Sequence, residues 1–401
     1  MRLNVWRCTT TGVQLPVGEI RISDPDRTAG GRRRGEFRYA RAYLNHPEAR
    51  ALDPVHLPLA PNVFSASAPE SGLHGVFEDS LPDSWGRALL IRQHHLARSN
   101  QHPAYLLDCL GANGLGALVY SSRDEPPTPA LSVLCGTEDL IEAAQRYERD
   151  PSSVEELHLR ALFQAASSPG GARPKLLLED QGRSCLAKLA SAHDSYDIVR
   201  LEAASLALAR SAGLDVPNFR IATFGRHTAL LIERFDCANG GRRHMLSAQT
   251  LLDARGWYQL GYVDLADSIR AVSDAPERDL PMLYRQAVLN AILGNTDDHL
   301  KNFSLQDTDV GWCLTPAYDL LPDVLNRSEH VLHFGSTGHC PTQAALTALG
   351  RAFGLSAFRA DSIRAEVAAA ATRWIEFCDQ AGVPKNQSLH FARDIERRLA
   401  H

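Results

Sequence analysis

One short segment holds the residue types that phosphoryl transfer requires. The sequence GNTDDHLKNF (residues 294–303) follows an apolar stretch and is too rich in Asp, His, Lys and Asn to favour a helix or a strand. Asp297 and Asn302 are five residues apart, which is the spacing of a kinase catalytic loop. There the Asp accepts the proton of the attacking hydroxyl and the Asn supplies a neutral oxygen to a metal ion. Asp and Asn are also common in solvated turns and helix caps, so the spacing needs support from other segments.

A further carboxylate follows at a suitable distance along the chain. Asp319 lies in the apolar stretch LTPAYDLL (314–321), 17 residues after Asn302. Mg²⁺ takes a few oxygen ligands from the protein and completes its shell with phosphate oxygens and water. We therefore expect Asn302 and Asp319 to bind Mg²⁺, and Asp297 to be the catalytic base.

A glycine-rich segment, SSPGGARPK (167–175), precedes an apolar strand and has the composition of a phosphate-binding loop. Two glycines allow the backbone to approach a ligand closely, and successive N–H groups bind phosphate oxygens. The spacing is not that of a Walker A loop, and a Gly-Gly turn with incidental charges is the alternative. The expected nucleotide-binding residues of this loop are Gly170, Gly171, Ala172, Arg173 and Lys175.

Lys188 lies inside an apolar strand, CLAKL (185–189). Burying a lysine without a partner is costly. It is expected either to bind phosphate, with Glu202 of the following helix as its partner, or to reach solvent at a strand edge.

The stretch LLIERFD (230–236) is an apolar strand that ends in charged residues. In a kinase this position is the hinge, whose main-chain groups hold adenine, so Glu233 and Phe235 are further nucleotide-binding candidates. An ordinary strand end is the alternative.

The elements that would position these residues follow from hydrophobic periodicity. The helix at 361–381 has one apolar stripe, and Gly382 lies just beyond its end. Gly294 is the expected end of the apolar helix before the catalytic segment. Strands are predicted at 17–22, 36–39, 175–179, 184–189, 219–223 and 228–233, and helices at 81–95, 137–149, 153–166, 198–212 and 361–381.

The composition is that of a globular protein with two or three domains. The chain has 401 residues, 44% hydrophobic and 22% charged, with a net charge of −5, which argues against disorder and against nucleic-acid binding by the chain as a whole. The Pro-rich stretch 122–132 is the clearest linker. It predicts an N-terminal domain at 1–125 and a second domain at 126–401, with a hinge near 233–236.

The cysteines and the N-terminus predict a cytoplasmic location. The eight cysteines include no CxxC pair, so a zinc site is not expected, and they are most simply small buried hydrophobes in a reducing compartment. No apolar run reaches the length of a membrane-spanning helix, and the N-terminus lacks the apolar core of a signal peptide.

The order of these segments resembles the HipA family, the Ser/Thr kinase toxins of bacterial type II toxin–antitoxin modules. The resemblance covers about residues 160–380, and the segment 295–303 is its specific part. Weaker similarity extends to 75–83 and 111–117. The resemblance implies an α+β protein with a protein-kinase-like (HipA-like) fold, built from a mixed N-terminal domain and a mainly helical C-terminal lobe.

Roles for individual residues also follow from the resemblance. Asp297 would be the catalytic base, and Asn302 and Asp319 would hold Mg²⁺. A Ser at the start of the glycine loop would be autophosphorylated, which would eject the loop and silence the kinase; Ser168 fits best and Ser167 is the second candidate. The ATP site would include the loop 168–175 with Lys188, Glu233, Phe235 and His299.

The resemblance implies cofactors and partners as well. The cofactors would be ATP and Mg²⁺, and the substrate would be a protein of translation such as an aminoacyl-tRNA synthetase. An antitoxin, typically a small helix-turn-helix DNA binder, would be the partner, and DNA would be contacted only through it. No membrane is involved.

Two residues depart from the family pattern. Pro174 stands near the end of the glycine loop and would stiffen it, which bears on its ejection. Asp298 adds a second carboxylate beside the base, which could perturb the protonation of Asp297.

Three other functions remain open. A small-molecule phosphotransferase would share the Asp297, Asn302 and Asp319 arrangement, but the glycine loop and the N-terminal domain argue against it. An ATP-binding pseudokinase that serves as a scaffold in an antitoxin–DNA repressor complex would need no catalytic base. A carboxylate-rich hydrolase would need neither the glycine loop nor Lys188.

Overall fold

The computed structural model describes residues 1–26, 28, 30–68, 70–128, 136–150, 154, 162, 173–238, 240–256, 258–327 and 329–400. The chain forms two compact units. The first comprises Met1–Ala187 with Arg234–Asp253, and the second comprises Lys188–Glu233 with Ala254–His401. The domain limits at 125/126 and the hinge near 233–236 stay predictions.

The first unit contains a five-stranded antiparallel sheet. Its strands are β1 (Arg2–Cys8), β2 (Gln14–Ile22), β3 (Gly35–Tyr39), β4 (Val63–Ser65) and β5 (Leu118–Ser121), in the order β4-β3-β2-β1-β5. On β3 the buried residues Phe37 and Tyr39 alternate with the exposed Glu36 and Arg38, as expected for a strand with one face toward the core. The strands predicted at 17–22 and 36–39 are confirmed.

Short helices and hairpins follow in the described part of the first unit, and the last two residues of β7, Lys188 and Leu189, belong to the second unit. The helices are α1 (Arg41–Leu44), α2 (Gly75–Glu78), α3 (Ser84–Gln93), α4 (Pro103–Leu110), α5 (Thr137–Arg149) and α7 (Ala248–Leu251). The strands are β6 (Lys175–Asp180), β7 (Arg183–Leu189), β10 (Cys237–Ala238), β11 (Gly241–Arg242) and β12 (Met245–Ser247). Gln181 and Gly182 between β6 and β7 both have positive φ, which suits a two-residue hairpin turn.

The second unit is mainly helical. It contains α6 (Ile198–Ser211), α8 (Tyr262–Val272), α9 (Pro276–Leu293), α10 (Gln343–Ala352), α11 (Ala357–Ala371), α12 (Trp374–Ala381) and α13 (Lys385–Ala400). Two antiparallel hairpins accompany them, β8 (Phe219–Phe224) with β9 (His227–Glu233), and β13 (Ser304–Thr308) with β14 (Gly311–Leu314). Helix α9 is buried on nearly all sides and packs against α8, α11 and α13, so the segment that follows it starts from a rigid support.

The long helix predicted at 361–381 is wrong in one respect, because two helices occupy this range. Helix α11 ends at Ala371 and α12 begins at Trp374, and between them Arg373 has φ −92° and ψ 12°. The five stripe residues are all buried on both sides of the break (Ile363, Val367, Ala370, Trp374 and Phe377). The sequence has no Gly or Pro at the break, and the apolar periodicity continues across it. The periodicity therefore predicted a single helix.

The other predicted elements can be compared directly. The helices at 137–149 and 198–212 and the strands of β6 to β9 are confirmed within one or two residues, and the helix predicted at 81–95 spans Ser84–Gln93. Most of the helix predicted at 153–166 lies outside the described residues. No helix in the described part of the chain is long and apolar enough to cross a membrane. Cys185, Cys313 and Cys378 are buried free thiols, whereas Cys340 is exposed.

Candidate active site

The catalytic segment begins where α9 ends. Gly294 has φ 74° and ψ 39°, and its N–H donates to Asn290 O, so it terminates the helix in the left-handed conformation that glycine adopts readily. A short 3₁₀ helix, Leu300–Asn302, follows before β13. The predicted helix end at Gly294 is confirmed, and it directs residues 295–299 away from the helix axis as a loop.

Asp297 presents its carboxylate to solvent, to the Arg327 guanidinium and to the His299 ring. The side chain is 49% exposed, and Arg327 Nη1 donates to its Oδ1 over 2.7 Å. His299 Nε2 lies 4.0 Å from Asp297 Oδ2, and the other ring nitrogen of His299 is buried with no hydrogen-bond partner among the residues that the structure describes. A half-exposed carboxylate of this kind can meet a substrate hydroxyl.

The Asn302 side chain is hydrogen-bonded to the backbone of Asp297. Its Nδ2 donates to Asp297 O over 2.8 Å, and the side chain is largely buried. Because the amide nitrogen is committed to this bond, the amide oxygen is the atom that Asn302 can offer to a cation. The position of the expected base and that of the expected metal ligand are therefore coupled through this hydrogen bond.

Lys188 is buried between two carboxylates. Its Nζ contacts both Glu202 and Asp319. Burial alone would lower the pKa of Lys188, but Asp319 and Glu202 outweigh it, so the pKa is raised and the side chain stays charged. The predicted Lys188–Glu202 pair is confirmed, and Asp319 is a second partner that the sequence reasoning did not anticipate.

Asp319 sits in an unusual backbone conformation. Its φ is 53°, a region that residues other than glycine seldom occupy and that is often found at functional sites. The hydroxyl of its neighbour Tyr318 donates to Lys301 O over 2.9 Å and lies 2.7 Å from Ser304 Oγ. The segment with Asp319 is thus tied to the residue that precedes Asn302.

The donor set fits a magnesium–nucleotide complex. An amide oxygen and a carboxylate are oxygen ligands of the kind Mg²⁺ prefers, and Lys188 supplies the positive charge that phosphates require. Among the described residues no group of three or more His, Cys, Asp or Glu side chains could hold a metal ion by itself. Such a cluster is not needed where phosphate oxygens complete the shell.

Asp298, unlike Asp297, is enclosed by protein. Its side chain is fully buried and accepts hydrogen bonds from Tyr262 Oη at 2.8 Å and Val331 N at 2.7 Å. His330 Nδ1 lies 3.0 Å from the same carboxylate. The second carboxylate beside the base is therefore an internal acceptor.

The remaining residues that were predicted to bind nucleotide are partly covered by the structure. The N–H of Glu233 donates to Asn218 O over 2.7 Å, and Asn218 Nδ2 also donates to the Glu233 carboxylate. Lys175 is buried in the first unit, with its Nζ 3.8 Å from Asp83 Oδ2. Phe235 and Arg173 are partly buried. Ser167, Ser168, Gly170, Gly171 and Ala172 lie outside the described residues, so their roles stay predictions.

Sequence reasoning did not identify the residues that support this site. Arg327, Asp323 and Tyr262 lie 27 to 36 positions from the residues they bind, and no motif spacing marks them. Asp323 accepts a hydrogen bond from Thr296 Oγ1 at 2.9 Å. Only the three-dimensional arrangement reveals these contacts.

Comparison with known proteins identifies the family. The HipA-like C-terminal domain matches residues 167–375, and the HipA N-terminal domain matches residues 15–121. The protein Y4mE of Sinorhizobium fredii is 26% identical over 324 residues, 72% of each chain. The serine/threonine-protein kinase toxin HipA of Shewanella oneidensis is 26% identical over 297 residues, 66% of each chain.

A solved structure shows the fold. A chain of the Shewanella oneidensis MR-1 complex of HipA, HipB and operator DNA matches with a TM-score of 0.70 at 19% identity, over 98% of this chain and 96% of that one. The predicted α+β, HipA-like fold is therefore confirmed. Since both family domains match in the predicted order, and the C-terminal one alone covers more than half of the sequence, this chain belongs to the HipA family.

Proposed function

We propose that this protein is an ATP- and Mg²⁺-dependent Ser/Thr protein kinase. The observation that supports this most directly is the link between Asp297 and Asn302. The half-exposed carboxylate is offered to a substrate, while the Asn302 side chain is bonded to the carbonyl of the same Asp297. Family membership and the kinase names of relatives point the same way.

Each residue of the site has a distinct part in the proposed reaction. Asp297 accepts the proton of the substrate hydroxyl and orients its oxygen toward the γ-phosphorus. Lys188, held charged by Glu202, contacts the phosphates of the nucleotide. Asn302 and Asp319 would hold Mg²⁺, which would supply positive charge to the phosphates of the nucleotide. His299 lies beside Asp297 and donates to a phosphate oxygen.

The alternatives are less well supported. A pseudokinase scaffold would have no need for an accessible carboxylate at position 297, and a hydrolase would not need the buried Lys188–Glu202 pair. A small-molecule phosphotransferase would use the same three groups. The match to the HipA N-terminal domain at 15–121 favours the protein kinase.

The proposed biological role is that of a toxin in a type II toxin–antitoxin module. The relative from Shewanella oneidensis is named a kinase toxin, and the related solved structure contains HipB and operator DNA. We extend this to an antitoxin partner that contacts DNA, and to a protein substrate in translation, with an aminoacyl-tRNA synthetase as the first candidate. Autophosphorylation at Ser168, or at Ser167, is the proposed means of silencing.

The test of the activity is the variant Asp297→Asn. It keeps the shape of the side chain but removes the proton acceptor, so phosphoryl transfer should fall about a thousandfold, or roughly 4 kcal/mol of transition-state stabilisation. Affinity for Mg·ATP should change by less than about threefold, or 0.7 kcal/mol. Transfer from labelled ATP is measured in a lysate and on the protein itself, and mass spectrometry then locates any phosphate on Ser167 or Ser168.

A matched control is Asp309→Asn, which changes an exposed Asp in the turn between β13 and β14. It should leave transfer unchanged. Activity that survives in Asp297→Asn would rule Asp297 out as the base. A wild-type protein that binds Mg·ATP but transfers no phosphate to any protein would favour the scaffold.

A further inference from the structure

A buried chain of hydrogen bonds connects residues that lie on either side of the candidate base in sequence. Asn295 Nδ2 donates to Asn290 Oδ1 at 3.1 Å, and Asn290 Nδ2 donates to Tyr262 Oη at 3.0 Å. Tyr262 Oη in turn donates to Asp298 Oδ2 at 2.8 Å, and His330 Nδ1 lies 3.0 Å from the same oxygen. These five residues are called the positioning network below.

The positioning network is almost wholly excluded from water. Its members are 0% to 6% exposed (Tyr262, Asn290, Asp298, Asn295 and His330). Burial raises the pKa of Tyr262 well above its ordinary value, and the nearby Asp298 adds to the effect, so its hydroxyl remains a donor. Since a buried polar group without a partner is costly, each side chain is held in the orientation that satisfies its hydrogen bonds.

The network begins and ends on residues that flank Asp297 in sequence. Asn295 is two positions before it and Asp298 is one position after it, so α8 and α9, through Tyr262 and Asn290, hold both ends of a four-residue segment. The Asp298 carboxylate also accepts N–H groups from Val331 at 2.7 Å and Leu332 at 3.4 Å, which ties the same point to a third segment. Asp297 itself makes no contact with the network through its carboxylate.

We infer that Tyr262, Asn290 and Asp298 are positioning residues for the reaction, which fix the direction of the Asp297 carboxylate without touching a substrate. This inference rests on the proposed function of Asp297 as the base. Small displacements of a catalytic group are expensive, because a shift of about 1 Å can cost up to a hundredfold in rate. Loosening the network should therefore reduce kcat and leave nucleotide binding almost unchanged.

The deciding variant is Tyr262→Phe, which deletes the central hydroxyl and retains the ring. The control is Tyr284→Phe. Tyr284 is also fully buried in the second unit, and its hydroxyl donates to Leu346 O at 2.9 Å, outside the network. Tyr262→Phe removes two hydrogen bonds, the one to Asp298 and the one from Asn290, whereas Tyr284→Phe removes one, so Tyr262→Phe should show the larger drop in melting temperature.

The two variants should differ in rate. Tyr262→Phe is expected to lower kcat about tenfold, with the KM for ATP within about twofold, whereas Tyr284→Phe should keep both near the wild-type values. Asp298→Asn, which removes the negative charge and replaces one of the two acceptor oxygens with an NH₂ donor, should reproduce the loss of kcat. An equal loss of kcat in both Tyr variants, or a normal kcat in Tyr262→Phe, overturns the inference.

A second readout does not depend on activity. Hydrogen–deuterium exchange of the amides in 295–303 should be faster in Tyr262→Phe than in wild type or Tyr284→Phe. Unchanged exchange there overturns the inference even if the protein is not a kinase. A wild-type protein without phosphoryl transfer contradicts the proposed function alone, and the exchange comparison then decides whether the network holds the segment.

Discussion

Two adjacent carboxylates in this protein have different surroundings and therefore different chemistry. Asp297 is 49% exposed and faces Arg327, whereas Asp298 is fully buried and accepts four hydrogen-bond donors. A saturated, buried carboxylate has little capacity left to accept a proton from a substrate. The choice of Asp297 over Asp298 as the base therefore follows from accessibility.

A prediction at this scale concerns the metal. Asn302→Ala removes one expected Mg²⁺ ligand, so affinity for Mg·ATP should fall at least about tenfold, or 1.4 kcal/mol. Affinity for ATP in excess EDTA should change little. Calorimetric titration with and without metal measures the difference.

The second expected ligand gives an independent comparison. Asp319→Asn tolerates the positive φ of this position but weakens both the metal site and the Lys188 contact. It should lose affinity in both titrations, and more in the presence of Mg²⁺. If Asn302→Ala loses the same affinity for ATP with and without Mg²⁺, metal ligation by Asn302 is excluded.

At the residue scale, the sequence predicted those side chains that a local spacing marks or whose burial without a partner would be costly in free energy. Asp297 and Asn302 follow from a local spacing, and the Glu202 partner of Lys188 follows from the cost of a lysine in an apolar strand. Arg327 and Tyr262 could not be predicted, because nothing local distinguishes them from other Arg or Tyr residues. Their positions depend on how distant segments pack.

At the scale of elements, the end of α9 determines where the catalytic segment starts. A Cβ at Gly294 would be strained by its φ of 74° and would overlap the guanidinium of Arg398, which also lies 3.4 Å from Leu293 O. Arg398 is partly buried, and this burial lowers the pKa of its guanidinium. Any side chain at position 294 would therefore require the Arg398 guanidinium to move.

Gly294→Ala should consequently destabilise the protein by about 2–3 kcal/mol. Gly354→Ala is the matched control, because Gly354 also follows a helix with positive φ, 78°, but no described residue lies within 4 Å of the added Cβ. That change should cost about 1 kcal/mol, the price of the backbone conformation alone. Urea unfolding of both variants provides the comparison, and equal losses would mean that Arg398 moves aside freely.

Elements with a local signal were predicted well, and an interrupted one was not. The alternation in β2 and β3 and the glycines after α9 and α12 mark boundaries that the structure confirms. The break between α11 and α12 has no such mark. Arg373 there binds Glu376 at 2.8 and 2.9 Å, a contact that the apolar period does not encode.

At the scale of the whole molecule, the sequence predicted the fold through its family resemblance. It did not predict that residues 234–253 belong with 1–187 in one compact unit. The reason is visible in single contacts within that unit, since Asp236 accepts a hydrogen bond from Gly116 N at 2.8 Å and Ser247 Oγ donates to Asp79 at 2.8 Å. Such long-range pairs are set by the packed structure and leave no local pattern.

The same unit contains a buried histidine that should make its stability depend on pH. His244 is 2% exposed and its Nε2 lies 2.8 Å from Leu52 O, so the neutral ring donates this hydrogen bond. Burial lowers the pKa of His244 to about 4, and Arg7 adds to the shift. In the unfolded chain the pKa is about 6.5. The unfolded state therefore binds a proton first as the pH falls, and the folded state loses stability between about pH 6.5 and pH 4.

From pH 7 to pH 5 this single group should remove about 2 kcal/mol from the free energy of unfolding. His244→Gln keeps an amide donor but cannot be protonated, so its difference between the two pH values should be smaller by about that amount. Urea unfolding at pH 7 and pH 5 measures the free energy of unfolding at each pH. The control variant His193→Gln changes an exposed histidine and should show the same difference between the two pH values as the wild type. A pH dependence that is the same in His244→Gln and in wild type would show that other groups cause the acid sensitivity.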